Sequence, residues 1–260
     1  MSVIGHTEAV VLRTVKYSES SVIATFYTER YGKIGGVIKG ARRPKSKFGS
    51  LLQPTARLSL VVYHTEGREL HTIGQCDPAG SYTRLWEEIE PMAAGMAVVE
   101  LLAGVTHAEE PNPVLYRLLT DTLGALDAGG TNVRPVMLFF QIRLAGELGF
   151  QPQFDRCVGC GRTMETAPGT ERRYHLDHGA PSCAECPRPA GPAILVRQEH
   201  LEGLSRVAAC TSPADAGRVV LQDDLLDAVR GVMMTYLKHH VAGLRDLKSE
   251  RVFSTILRVP

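Results

Sequence analysis

The sequence predicts an α+β protein: a five-stranded barrel at the N-terminus, an α-helical body, and a short cysteine-bearing insertion within that body. Three observations point there. The first 75 residues divide into short β-branched and aromatic runs separated by glycines. From Tyr82 onward apolar residues recur at three- and four-residue spacing, and residues 150–193 break that period with four of the six cysteines. The corresponding domains are 1–80, 81–149, 150–193, and a return to the helical domain over 194–260.

The strands follow in order. Val10 to Leu12 opens the series, then Ser21 to Thr28 and Lys33 to Lys39. Arg57 to His64 alternates, with Leu58, Leu60 and Val62 on one face, and Glu69 to Ile73 follows the Glu66-Gly67 turn. Gly32, Gly35, Gly36 and Gly40 provide for tight bends. Five strands in so short a span fit a small closed barrel, preferably of the OB type, although a sandwich also satisfies the pattern. Helices are predicted over Leu85 to Val105, Pro113 to Leu126, Pro135 to Leu148 and Asp224 to Leu244. Two of them have a first-turn proline behind an asparagine. In the third, Met137, Phe140, Leu144 and Leu148 share a face.

Composition narrows the class. Of 260 residues, 44% are hydrophobic and 22% charged, which excludes a chain that is disordered throughout. No apolar run approaches the ~18 residues of a membrane span. With no charged-then-apolar N-terminal pattern either, the expected location is the cytoplasm. The net charge of +1 hides an asymmetry: residues 1–60 hold ten Lys or Arg against three acids, a net +7, and residues 61–260 are therefore at −6. A basic head on an acidic body suits a polyanionic partner, while a solvated basic face is the plainer alternative.

Cys157-Val-Gly-Cys160 and Cys183-Ala-Glu-Cys186 form a CxxC…CxxC pair with 22 residues between. Each CxxC turn aims two sulfurs at one point, and four soft thiolates select tetrahedral Zn²⁺. Four cysteines close the coordination shell, so the expected ion is one structural zinc in a zinc-finger-like, four-cysteine insertion rather than a catalytic centre. His175 and His178 are read as surface residues, and Cys76 and Cys210 as buried thiols. His107-Ala-Glu109 with Pro181-Ser-Cys183-Ala-Glu-Cys186 imitates a zinc-deaminase layout, but the proline is misplaced and the first CxxC would go unused. No catalytic residue is assigned.

The stretch from Lys39 to Gly49 places Lys39, Arg42, Arg43, Lys45 and Lys47 within nine residues, and no acid occurs between Glu29 and Glu66. Gly40, Pro44 and Gly49 make this a loop. Such repulsion favours binding a polyanion, with counterion release supplying the free energy. Arg13, Lys16 and Lys33 extend the candidate nucleic-acid-binding set, with Phe48 as the exposed aromatic for base stacking.

At this point the chain resembles a known family, the RecO recombination mediators of bacterial DNA repair. The resemblance rests on Ala9-Val-Val-Leu-Arg13, on Tyr17 and Glu19, on Tyr31-Gly-Lys33, and above all on Lys39-Gly-Ala-Arg-Arg43 leading through Lys45-Ser46 to Leu52-Gln-Pro54. It continues in Pro111-Asn-Pro113, Leu148-Gly-Phe150 and Leu247-Lys-Ser249, whereas Glu250-Arg-Val-Phe253 departs from it. It implies an OB barrel, a helical domain and a zinc-finger-like insertion. It also implies binding of single- and double-stranded DNA, annealing of complementary strands, and work with RecR so that RecA replaces single-strand-binding protein (SSB). Members contact the acidic SSB tail through the helical domain, for which Arg117, Arg134 and Arg143 are the nominated cations. The competing readings are an RNA-binding or transcription-associated zinc protein on a similar barrel, and a zinc hydrolase.

Overall fold

The computed structural model describes residues 2–164, 169–187, 189–249, 252 and 255, so Glu250, Arg251 and Phe253 of the divergent segment lie outside the described residues. The chain forms two compact units, one of residues 1–129 with 246–260 and one of residues 130–245. The helices expected within 81–149 are divided between them.

In the first unit, β1 (Ser2–Lys16), β2 (Val22–Thr28), β3 (Gly32–Ile38), β4 (Arg57–Thr65) and β5 (Leu70–Pro78) pair in the ring order β1-β2-β3-β5-β4, a closed barrel. All pairs are antiparallel except β3 with β5. The expected three-residue first strand is in fact fifteen residues long. Its early half pairs with β4 (Ser2 with Thr65 through Val10 with Arg57) and its later half with β2 (Ala9 with Thr28 through Lys16 with Val22). A register shift between Val11 and Arg13 lets one strand serve both neighbours, because a bulge bends and twists the strand that carries it. Val11, Phe26, Ile34, Ile38, Leu58, Leu60, Val62 and Ile73 fill the interior. At Gly36 an added Cβ would lie 2.6 Å from Ile73 and 2.9 Å from the Phe26 ring, so only glycine lets these side chains cross the barrel.

Beyond the barrel come α1 (Arg84–Glu87), α2 (Ile89–Val105) and α3 (Pro113–Ala128). The single helix expected from Leu85 is interrupted at Glu88, whose backbone is extended. Pro91 explains the break: it lacks an N–H and its ring would clash with the carbonyl of residue 87, so it is accommodated only in a new first turn. Asn112 caps α3 by accepting from Leu115 N–H at 2.9 Å. α2 packs against β1, α1 and α3, which is why Ala94, Ala97, Val98, Leu101 and Leu102 are all buried. Glu100 accepts from the backbone N–H groups of Lys248 (3.1 Å) and Ser249 (2.8 Å). Burial opposes ionisation of Glu100, but the hydrogen bond from the Ser249 hydroxyl, together with these two, outweighs it and holds the carboxyl below its usual range. The Leu247-Lys-Ser249 motif is thus an anchor for the returning chain.

In the second unit α4 (Val133–Glu147) is followed by β6 (Glu171–His175), β7 (Ala180–Ser182) and β8 (Ala193–Arg197), then α5 (Gln198–Ala208), α6 (Pro213–Ala216) and α7 (Asp223–His240). α4 packs against α5, α6 and α7 and is buried on nearly every side from Val133 to Ile142, not along a single stripe. Each such Leu or Phe contributes about 1.5–3 kcal/mol. The three strands form a sheet in the order β7-β6-β8, which carries the insertion past its expected limit to Arg197. Its apolar support comes from α7: Tyr174 is fully buried, stacks on Phe154 and meets Tyr236 edge-on, and the Tyr236 hydroxyl donates to Phe150 O at 3.0 Å. α7 ends at His240 rather than Leu244, before a turn in which Gly243 is left-handed (φ +80°).

Candidate polyanion surface and metal centre

The basic loop joins β3 to β4 through consecutive turns. Arg43 N–H donates to Gly40 O (3.1 Å), Ser46 N–H to Arg43 O (2.9 Å), and Leu51 N–H to Phe48 O (3.0 Å). Gly40 at φ +74° makes the first turn, a conformation that opposes any β-carbon. Ala41 and Leu52 are buried in the barrel core, with Phe48 and Leu51 packed against it. The apolar residues therefore pin the loop while Lys39, Arg42, Arg43, Lys45 and Lys47 stay exposed. Arg42 also ties the loop to the β1–β2 turn, its N–H donating to Ser20 O (3.0 Å) and its Nη1 to Ser18 O (2.8 Å).

Two grooves run along this loop. Thr14, Lys16, Val22, Arg42, Arg43 and Gly49 are among the lining of one, of about 540 Å³. The other, of about 700 Å³, has Lys39, Arg43, Lys45, Lys47, Phe48, Gln75 and Asp77 in its walls. Arg43 borders both. Among the described residues none of Arg13, Lys16, Lys39, Arg42, Arg43, Lys45 and Lys47 is ion-paired with a carboxylate, although the chain has acid to spare elsewhere. Arg57 is the contrast, held by Glu8 at 2.6 and 3.0 Å.

Two residues of the sequence-derived set, Lys33 and Phe48, need correction, and Arg13 stands apart from the grooves. Lys33 points away from the loop: its Nζ donates to Ala103 O (2.8 Å) and to Thr106 O, capping the end of α2, and burial lowers its pKa. Arg13 is exposed on β1 but borders neither groove. Phe48 is half-buried because its ring completes the core beneath the loop. The exposed aromatic is instead Tyr17, 62% accessible, next to Lys16 and to the Ser18 that Arg42 holds. Its place between the first two expected strands was the available signal.

The four cysteines converge. Their sulfurs lie within 4.8 Å of one another, and Cys160 and Cys183 are 4.0 Å apart. Zinc–sulfur bonds of ≈ 2.3 Å in a tetrahedron require sulfurs about 3.8 Å apart, so the donor set fits. Cys157 and Cys160 sit in a turn closed by Gly161 N–H to Cys157 O (2.9 Å), and that turn docks on the second strand of the hairpin through Val158 N–H to Pro181 O (2.8 Å). At Gly159 a β-carbon would come within 3.0 Å of Cys186 Cβ and Sγ, so the approach of the two CxxC turns requires glycine there. Burial works against ionising Cys157. Nevertheless the backbone N–H groups of Cys183, Cys160 and Gly159 together lower its pKa to about 6. The Arg162 guanidinium lowers that of Cys160, and hydrogen bonding to the neighbouring sulfurs raises Cys186 to about 12. His175 is buried, not on the surface, and bonds to Ser182 Oγ at 3.0 Å.

A second cluster escaped the sequence because its members are distant in the chain. His64 Nε2 and His71 Nε2 lie 3.1 and 3.0 Å from the same Glu109 oxygen, and Tyr31, His64 and His71 stack at 4.9 and 4.4 Å. Thr65 N–H donates to His71 Nδ1 (3.3 Å), which puts the neutral ring's proton on Nε2. A metal-bound histidine has the opposite arrangement, so this is a clasp between the barrel and the α2–α3 loop.

Of the nominated partner cations, Arg134 pairs with Asp223 (2.9 Å) and Asp227 (3.7 Å). Arg143 donates to Cys210 O (2.6 Å) and lies over the Phe139 ring at 5.0 Å. Both hold their own unit together, and Arg117 alone of the three is exposed on a helix surface.

Fold and sites define a class: a β-barrel with an unpaired basic loop, joined in one chain to a helical unit bearing a four-cysteine cluster. Comparison with known proteins makes it specific. The chain matches the family models described as recombination protein O N-terminal, over residues 1–82, and C-terminal, over residues 87–251. The chain belongs to the RecO family. Proteins named DNA repair protein RecO are similar to it: that of Salinibacter ruber is 39% identical over 74% of both chains, and that of Myxococcus xanthus 31% over 93% of both. That of Geobacter sulfurreducens is 32% identical over 92% of this chain and 97% of its own.

Proposed function

We propose that this chain acts in bacterial DNA repair and recombination as a sequence-independent binder of single- and double-stranded DNA that anneals complementary strands. In this reading it works in the cytoplasm with RecR, helps RecA replace SSB on gapped DNA, and carries one structural Zn²⁺ on Cys157, Cys160, Cys183 and Cys186. The observation that carries it is the loop cluster, whose cations are exposed and unpaired with carboxylate among the described residues. Two strands repel as polyanions, and a surface that neutralises phosphates while leaving bases free lowers the barrier to pairing. The ring order of the strands, with one parallel pair, supports an OB-type barrel. Four thiolates leave no open coordination position, which supports a staple rather than a hydrolytic centre. Exposed Arg117 remains the candidate for an acidic partner tail.

The test is the annealing rate of complementary oligonucleotides without ATP, for the intact protein against a loop variant. Acceleration by the intact protein alone is expected, and equal rates would overturn the reading. RNA and DNA of one sequence, set in competition, decide against the RNA-binding alternative if DNA is bound at least as well. Stacking is predicted at Tyr17: Tyr17→Ala weakens single-strand binding by about 1–3 kcal/mol with unchanged melting. Phe48→Ala instead lowers the melting temperature, since it removes packing under the loop.

A further inference from the structure

The basic loop does not present one groove but two, and they differ in chemistry. The groove beside β1 and β2 is bordered by Lys16, Arg42 and Arg43, and among its lining residues there is no carboxylate. The groove beside β5 has Lys39, Lys45 and Lys47 along it, a floor that includes half-buried Phe48, and a polar wall where Gln75 Nε2 donates to Asp77 Oδ2 at 2.6 Å. Arg43 stands on the ridge between them. Its stem lies back over Gly40, with Cδ and Nε both 3.6 Å from where a glycine β-carbon would be, so the ridge is held by the turn itself.

We infer that the two grooves hold two nucleic-acid strands at once, one on each side of Arg43. The inference rests on the DNA-binding reading above and extends it to stoichiometry. The cations line two adjoining cavities that meet at Arg43 and Ser46, each within the ~300–1,000 Å³ range of ligand sites. The first groove is free of carboxylate, with Val15, Val22 and Leu52 among its lining and exposed Tyr17 next in the chain to Lys16. The second differs in having Gln75 and Asp77 among its walls, polar groups that can meet base edges as well as backbone. A shared arginine between two polyanions screens one from the other, and that screening is what bringing complementary strands side by side requires.

The experiment counts strands on the full-length protein with short oligothymidylate, which cannot pair with itself, by native mass spectrometry and by titration of labelled oligonucleotide. Two strands per protein chain are expected. Lys16→Glu should leave one strand, in the second groove, and the pair Lys45→Glu with Lys47→Glu should leave one in the first. In each case the strand in the unaltered groove is retained, with its affinity lowered as well, because Arg43 and Ser46 border both grooves and the sites are coupled. Both variants should lose annealing, and Arg43→Glu should weaken both strands. Lysine-to-glutamine versions, with the same direction of effect, separate lost charge from introduced repulsion. A protein that binds one strand per chain yet anneals, or variants that weaken one and the same strand, would overturn this inference and leave the DNA-binding reading standing. Failure to bind oligothymidylate at all would remove both.

Discussion

Replacing Arg42 and Arg43 together by glutamate abolishes strand annealing and flattens the salt dependence of DNA binding, while the barrel stays folded. With about five phosphate contacts, log K for single strands should fall with log[salt] at a slope of about −3.5, or ~100-fold between 50 and 200 mM. Loss of two contacts brings the slope to roughly −2, and the two introduced carboxylates weaken binding further. Folding is expected to survive because the buried residues of the loop, Ala41 and Leu52, are untouched. Arg42 also holds Ser18 O, so Arg43→Glu with Lys45→Glu serves as the second variant, with the same result expected. Fluorescence anisotropy across a salt series, with a thermal melt of each variant, measures both quantities. Unchanged slope in both variants would mean that the phosphates bind elsewhere.

Cys157→Ser, or removal of metal by a chelator, should unfold the insertion and lower the melting temperature of the second unit by more than ~10 °C. That size follows because binding of a structural zinc is folding free energy and each kcal/mol shifts such a unit by several degrees. Cys157 is the buried member of the four, and its sulfur accepts from Gly159 N–H (3.4 Å) and Cys183 N–H (3.3 Å), so both CxxC turns lose their common point with it. Acidification should release the ion, because thiolates must be protonated to let it go and the sign is that of proton competition. The barrel lies in the other compact unit, so oligonucleotide binding at moderate temperature should persist in the variant. Metal content by mass spectrometry and calorimetry with and without chelator decide it. An apo-protein that melts where the holo-protein does would remove the staple.

Much of this is legible in the sequence alone. The alternation of Leu58, Leu60 and Val62, the asparagine caps of two helices and the paired CxxC turns are local patterns, and each took the form its spacing predicts. The basic loop was equally visible, since glycine and proline mark a turn whatever surrounds it. What failed was whatever depended on partners distant in the chain. The length of β1 comes from pairing with two strands at once, which Gly5, His6, Thr7 and Glu8 before Val10 do not advertise. The burial of α4 on all sides comes from three helices that follow much later.

The division at the candidate sites has the same origin. Sequence determined which residues carry charge or thiol and that they cluster, because charge and sulfur belong to the side chain itself. Tertiary structure decided which cations are free: Lys33 is spent on the carbonyls at the end of α2, Arg134 on Asp223, and Arg143 on Cys210 O, while Arg42, Arg43, Lys45 and Lys47 carry no carboxylate partner among the described residues. It also exchanged Phe48 for Tyr17 as the exposed ring, since a side chain's exposure is set by what packs over it and not by the charges beside it in the chain.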